Sequence, residues 1–285
     1  IRGEFTIQNP NFNYSNKSLS TTIESTNIDK LTENGYETTK TGFSIGTGFE
    51  QFENTYFRPT LSTYFEDLTT NSKASTNLKK QSGTYFDTKL NYNIDFDNRN
   101  QKFQTSEGNR IVFAQGIPLI SEEYSLRNTF EYQTWKKFNN EVVTNMSLYG
   151  SMINSLKDED VRITDRISLP RKRLKGFQYG AIGPVDAGDY VGGNYATVMN
   201  LSSTLPMILP TVQNVDVKYF LDVANLWGVD YSSSIDDSNK IRSATGIGVD
   251  WFTPIGPMTF SIAQDLTKAT TDKTESFQFN LGTTF

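Results

Sequence analysis

Strict alternation of apolar and polar side chains is the feature of this sequence that most restricts its fold. Between residues 86 and 97, one set of alternate positions carries Phe, Thr, Leu, Tyr, Ile and Phe, while the other carries only Asp, Lys and Asn. A period of two places the two sets on opposite faces of a β-strand. The same alternation recurs near residues 43–49, 215–222, 258–262 and 276–285. We therefore predict an all-β chain whose strands have one apolar and one polar face.

The length of the alternating segments distinguishes between two kinds of β protein. Many of them run to about ten residues, the length that a tilted strand needs to cross a bilayer. Strands of soluble proteins are usually about 5–6 residues long. We predict a transmembrane antiparallel β-barrel over residues 1–285, with apolar side chains toward lipid and polar side chains toward the lumen, the space that the barrel encloses. A large soluble β protein is the alternative.

The connections between predicted strands form two classes that alternate along the chain, as in bacterial barrels with short periplasmic turns and longer outer loops. The short class lies near residues 9–16, 52–54, 136–140, 206–212 and 253–257, and the longer class near 27–36, 67–81, 154–191, 228–240 and 265–274. This division gives about thirteen strands. Because single-chain bacterial barrels have an even number and residues 1–8 already alternate, we expect this chain to be the C-terminal part of a barrel.

Composition argues against several classes of function. The chain has no histidine, the commonest general base and metal ligand, and no cysteine for thiolate chemistry. We therefore predict no enzyme activity, no cofactor and no metal site. A net charge of -5 also argues against a nucleic-acid-binding protein, which normally has a basic face. The acidic run at residues 158–160 is predicted to be a solvated part of the long loop.

Ordered motifs in the second half of the chain carry a resemblance to a known family. Residues 173–177 read Arg-Leu-Lys-Gly-Phe, followed by Ile-Gly-Pro at 182–184 and Val-Gly-Gly-Asn at 191–194. Residues 221–227 read Leu-Asp-Val-Ala-Asn-Leu-Trp, 251–257 read Trp-Phe-Thr-Pro-Ile-Gly-Pro, and 277–282 read Phe-Gln-Phe-Asn-Leu-Gly. In this order the motifs resemble those of BamA-type outer-membrane protein assembly factors, most clearly over residues 160–285.

The resemblance implies how the barrel is organised. It implies sixteen strands in the full protein, about thirteen of them in this chain, with the first strands and soluble POTRA domains upstream. It also implies that the loop at residues 154–191 folds into the lumen. That loop would carry the family's Val-Arg-Gly-Phe/Tyr motif, which here is Leu174, Lys175, Gly176 and Phe177.

The motif departs from the family in its charged residue and in one partner. Lys175 keeps the charge of the family's arginine but lacks the planar fork that holds a carboxylate with two hydrogen bonds. Of the family's two acidic partners, Asp222 fills one place, while Ser202 falls at the other. We predict an ion pair between Lys175 and Asp222. We expect Asp250 to supply a further negative charge to the basic cluster within residues 171–175. A solvated lumen charge is the alternative for Asp222.

The last strand is the second candidate functional element. Its alternation predicts that Phe277, Phe279, Leu281 and Phe285 face lipid while Gln278 and Asn280 face the lumen. Gly282 stands where the family has a glycine that lets this strand bend, and glycine within a strand weakens its pairing. Relief of local crowding is the alternative for this glycine. The resemblance implies a lateral gate toward lipid between the first and last strands.

The implied function is folding and insertion of β-barrel proteins into the bacterial outer membrane. The implied partners are unfolded outer-membrane proteins, membrane lipids and accessory periplasmic lipoproteins bound through the upstream region, with no nucleic acid. Two alternatives remain open at this point: a translocation or secretion pore of a related family, and an ordinary diffusion porin. A porin would lack the loop motif, and the related families would differ in the number of upstream POTRA domains.

Overall fold

Thirteen strands pair in sequence order into a single antiparallel sheet, as the alternation predicted. The structure, a computed structural model, describes residues 1–32, 34–138, 142–157, 159–206, 208, 214–230, 234–253 and 256–281. The sheet strands before the long loop are β1 (Arg2–Asn9), β2 (Ser18–Lys30), β3 (Tyr36–Phe52), β4 (Thr55–Thr70), β5 (Gly83–Asp97), β6 (Gly108–Ile120), β7 (Ser125–Phe138) and β8 (Val142–Ser155). No helix in the described ranges is long and apolar enough to span a membrane.

Residues 156–194 form the long loop, which separates β8 from the remaining sheet strands. The loop contains a small two-stranded hairpin of its own, β9 (Val185–Asp186) and β10 (Asp189–Tyr190). The sheet then continues with β11 (Tyr195–Thr204), β12 (Val215–Trp227), β13 (Arg242–Thr253), β14 (Gly256–Thr267) and β15 (Phe277–Leu281). A short helix, α1 (Thr76–Lys79), and a 3-10 turn (Phe12–Tyr14) lie in the connections.

The two faces of the sheet differ in chemistry, which follows from the period-two pattern. One face exposes a band of large apolar side chains that crosses the whole sheet: Ile7, Ile23, Phe43, Leu61, Phe65, Ile94, Phe130, Leu148, Tyr219, Ile247, Ile262 and Phe279. The opposite face, called here the polar face, carries buried Glu66, Asp87, Asp95, Asp222 and Gln278. A continuous apolar band is the surface that a barrel presents to lipid.

Several connections differ from their predicted bounds because polar residues can extend a ladder as well as end it. The connection predicted at residues 27–36 is only 31–35, since Asn27 remains in β2 and donates side-chain hydrogen bonds to Glu37 and Thr39 of β3. The connection between β6 and β7 spans only residues 121–124, although it lies on the long-loop side. The predicted connections near 136–140, 206–212 and 253–257 fall partly outside the described residues.

The long loop lies against the polar face and contacts strands far apart in the sheet. Its side chains and backbone bond to Glu66 of β4, Glu131 of β7, Asp222 of β12 and Gln278 of β15. Because one loop reaches all four strands on one face, that face must be concave and curve around the loop.

The loop is also packed by apolar contacts. A buried cluster joins Val161, Ile167, Leu169, Leu174, Phe177 and Ile182 of the loop to Ile153, Ala196, Val198, Ala224, Leu226 and Ala244 of the strands. Burial of each large member contributes about 1.5–3 kcal/mol. The polar face is therefore not wet throughout, because the loop covers an apolar region on β11–β13.

Candidate functional site

A single buried carboxylate holds the charged residue of the loop motif. Nζ of Lys175 lies 2.9 Å from a carboxylate oxygen of Asp222, and the backbone N–H of Lys175 donates to the same oxygen at 3.0 Å. Asn200, which is directly opposite Asp222 on β11, donates to the other oxygen at 2.7 Å and to the carbonyl of Arg173 at 2.8 Å. The carboxylate of Asp222 is fully buried and its hydrogen bonds are charge-assisted, which makes this a strong point of attachment.

The strand residue beside Asp222 is Asn200, which was not predicted from the sequence. Ser202, where the resemblance implies the family's second acidic place, lies opposite Phe220. Asp250 does not serve the basic cluster, because it pairs with Lys218 at 2.6 Å and accepts from Thr259 at 2.9 Å. A signal for Asn200 was available in principle, since it required only the cross-strand register of β11 and β12.

The planar fork that Lys175 lacks is supplied two residues earlier. Arg173 donates from both terminal nitrogens to the two carboxylate oxygens of Glu131 on β7, at 2.9 and 2.8 Å. Its guanidinium also lies 3.9 Å from the ring centroid of Tyr149 on β8. The loop tip is thus held by β7 and β12 on two sides. Glu131 was not predicted as a partner from the sequence; it is 42 residues from Arg173.

Gly176 lets the motif approach the sheet closely. Its φ is +84°, a backbone conformation that side chains with a Cβ rarely adopt. A Cβ at this position would lie 3.1 Å from that of Ala263 and 3.2 Å from that of Ala244. The two alanines therefore leave little room for a side chain at residue 176.

The backbone after Lys175 is bonded to the start of the last strand. The carbonyl of Gly176 accepts from the N–H of Glu275 at 3.0 Å, and that of Phe177 accepts from the side chain of Gln278 at 2.7 Å. Gln178 donates to the carbonyl of Lys273 at 3.0 Å. Phe177 itself is 2% exposed. The loop motif therefore connects Asp222 on β12 to the N-terminal end of β15.

A second anchor, unrecognised in the sequence, holds the other end of the loop. Nη1 of Arg162 lies 2.8 Å from Glu66 and 2.9 Å from Asp87, and Nε lies 3.1 Å from Glu123. The side chains of Arg162, Glu66 and Asp87 are 0–1% exposed. Its partners are up to 96 residues away in the sequence, so no local pattern indicates the group, which we call the Arg162 anchor.

Asp165 adds a third ion pair close to the Arg162 anchor. Its carboxylate lies 2.9 Å from Nζ of Lys89 on β5. Burial alone raises the pKa of this carboxyl, but the positive charges of Lys89, Lys40 and Arg162 outweigh that effect and hold the pKa below its usual value. Asp165 is therefore ionised in the folded protein at neutral pH.

The last strand has the predicted division of faces where the structure describes it. Phe277, Phe279 and Leu281 are 56%, 41% and 60% exposed, while Gln278, between them, is 4% exposed and bonded to the loop. Asn280 lines a cavity on the same side as Asp222. Gly282 and Phe285 lie outside the described residues.

The site fixes the backbone of the loop against the strands. Arg162, Arg173 and Lys175 of the loop form ion pairs with carboxylates of the strands. Within the described residues, no group of three or more acidic side chains is arranged to hold a metal ion; Asp158 of the acidic run lies outside them. The arrangement can fix a loop across a concave sheet and hold the start of its terminal strand.

Comparison with known proteins gives relatives for this arrangement. The sequence matches the Omp85 superfamily domain over residues 2–285. It is 24% identical over 217 residues to the outer membrane protein assembly factor BamA of Neorickettsia risticii, covering 74% of this chain and 29% of that protein. It is 28% identical over 166 residues to the sorting and assembly machinery component 50 homolog of Xenopus tropicalis, covering 55% of this chain and 36% of that protein. The chain thus spans about a third of these relatives' length.

A solved structure has the same fold over the whole length of this chain. The crystal structure of BamA from Haemophilus ducreyi lacking POTRA domains 1–3 superposes with a TM-score of 0.87 at 22% identity, over 100% of this chain and 62% of that one. The antiparallel sheet, its apolar outer band and its concave polar face are thus those of a transmembrane barrel. The chain belongs to the Omp85 superfamily and is a β-barrel domain of the bacterial outer membrane.

Proposed function

We propose that this domain folds and inserts β-barrel proteins into the outer membrane, and that it does so through a lateral gate at β15. The observation that carries the proposal is the bonding of the loop motif to the start of β15, the last strand that the structure describes. Gly176 and Phe177 accept hydrogen bonds from Glu275 and Gln278. The described part of β15 pairs with β14 from Phe277 to Leu281.

The outer edge of β15 can act as a template. Within the described part of the chain, no strand pairs with that edge, and the proposal has its backbone N–H and C=O groups bond to a client strand when the gate is open. Edge strands add peptides by β-augmentation, in which main-chain bonds give affinity and alternate side chains give specificity. An unfolded outer-membrane protein, whose strands must each gain a partner, is the client that this edge suits.

The loop anchors keep this edge in place while it is unpaired. Gly176 and Phe177 bond to the start of β15, and Lys175 and Arg162 fix the loop to β12 and to β4–β5. The last described strand is thus tethered at its beginning by the loop. In the proposal, this tether keeps β15 in place while its far edge opens.

The same anchors argue against an ordinary diffusion porin, because the loop occupies the concave face from β4 to β15. A translocation or secretion pore remains the competing function, and it differs in where a client would travel. Membrane lipids would contact the apolar band that includes Phe279. Accessory lipoproteins would bind regions of the protein outside this chain.

The gate is tested by locking it in the intact protein. A cysteine at Leu281 and another in the strand that lies beside β15 in the complete barrel form a disulfide, and this chain has no native cysteine to interfere. Insertion of client barrels should stop when the bond is formed and return on reduction. The control pair is Ile45→Cys with Leu61→Cys, which are opposite one another in the long β3–β4 ladder. Normal insertion by the Leu281-locked protein would rule out the gate.

A further inference from the structure

The tip of the long loop carries more positive charge than its partners neutralise. Arg173 is paired with Glu131 and Lys175 with Asp222. Arg171 has only Glu275, at 3.6 Å, and both side chains are about two-fifths exposed. Lys172 is exposed and has no ion-pair partner within the described part of the chain.

The surplus charge faces a cavity beside the terminal strand. Arg171 and Lys172 line a cavity of about 710 Å³ that also includes Ser261 of β14 and Asn280 and Leu281 of β15. Its acidic lining residues are Glu131, Asp222 and Asp250. Each of these is committed to a cation, Asp250 to Lys218. An anionic group that entered the cavity would meet Lys172 and Arg171 without displacing an existing pair.

The geometry of β-augmentation decides which anion reaches this place. A strand that pairs with the edge of β15 turns alternate side chains to the polar face, level with Gln278 and Asn280. A lipid phosphate would approach the opposite, apolar face, where Phe277 and Phe279 are exposed. The cavity therefore suits a side chain of a paired strand better than a lipid headgroup.

We propose that Lys172, with Arg171, selects client strands that carry Asp or Glu at the lumen-facing position beside Asn280. This inference rests on the proposed function, because it requires a client strand to pair with β15. An exposed ion pair changes affinity only modestly, so the expected preference for a glutamate over a glutamine at that position is about fivefold.

The test measures binding of synthetic strand peptides to the intact protein in detergent micelles by fluorescence anisotropy. The peptides alternate apolar and polar residues and differ only at one central lumen-facing position, which is Glu, Gln or Lys. The expected order of affinity is Glu, then Gln, then Lys. Lys172→Glu should reverse the order, while Lys79→Glu, an exposed charge change on α1, should leave it unchanged.

Two failures are distinguishable. If no peptide binds, the edge of β15 is not a template and the proposed function itself is wrong. If all three peptides bind with equal affinity, and Lys172→Glu changes nothing, the edge is a template but the loop tip does not select for charge. Either an unchanged order in Lys172→Glu or a reversal in Lys79→Glu would overturn the role of Lys172.

Discussion

Replacing Arg162 by methionine removes the positive charge that anchors the N-terminal end of the long loop to the strands. Methionine keeps an apolar stem but has no hydrogen-bond donor, so the change removes the guanidinium. Glu66 and Asp87, each about 1% exposed, then lose the donor that lies 2.8 and 2.9 Å away. The two carboxylates would then remain buried without their cationic partner.

The expected loss of stability follows from these burials and distances. Breaking a buried ion pair by removing one partner costs about 3–5 kcal/mol. Nζ of Lys40 is 4.0 Å from Glu66 and remains in the variant, so we expect the lower end, about 3 kcal/mol.

The assay is denaturant unfolding of the intact protein in detergent, followed by circular dichroism at pH 7. Arg171→Met is the matched control, since its 3.6 Å pair is partly exposed and such pairs contribute about 0–1 kcal/mol. Arg162→Lys, which keeps the charge without the fork, should fall between the two. An Arg162→Met protein that unfolds at the wild-type denaturant concentration would refute the anchor.

Three further changes probe the rest of the loop. Gly176→Ala forces a side chain into a φ of +84° and should cost about 1–2 kcal/mol, measured by unfolding against Gly150→Ala, where φ is not positive and the Cβ would meet no neighbour. Because the folded pKa of Asp165 is lowered, its stabilisation is complete above the unfolded value of about 4, decreases below it and is lost only at the folded value; Asp165→Asn should therefore lower the melting temperature less at pH 2 than at pH 7. A double-mutant cycle between Lys175→Met and Asp222→Asn should give a coupling of about 1–3 kcal/mol, and additive effects would contradict the pair.

Much of the fold is predictable because period-two alternation is a local property of the chain. Residues 86–97 and 277–281 reveal their two faces without knowledge of any neighbour. Strand ends are less predictable, as Asn27 shows. Its polarity predicts the end of a strand, but its side chain bonds across the ladder and β2 continues past it.

The site is only partly predictable because its partners come together through the curvature of the sheet. Lys175 and Asp222 were expected to meet from a resemblance to a family, not from spacing. Arg162 and Glu131 gave no such signal, since their partners lie 96 and 42 residues away and are brought close by the loop crossing a concave face. Apolar residues on the polar face, such as Leu226, were likewise unexpected, because only the covering loop explains them.

The central claim, that the edge of β15 receives a client strand, is tested most directly by crosslinking an arrested client. Phe279→Cys in the intact protein is combined with single cysteines placed in turn along the client's terminal strand. The account predicts a disulfide to Phe279→Cys from the client position directly opposite it and none from the positions on either side, because only directly opposite residues are close enough and adjacent side chains face opposite ways. Asn91→Cys, which lines a cavity on the polar face of β5, should give none. Crosslinks to Asn91→Cys at successive client positions, with none to Phe279→Cys, would show passage through the lumen and contradict the gate.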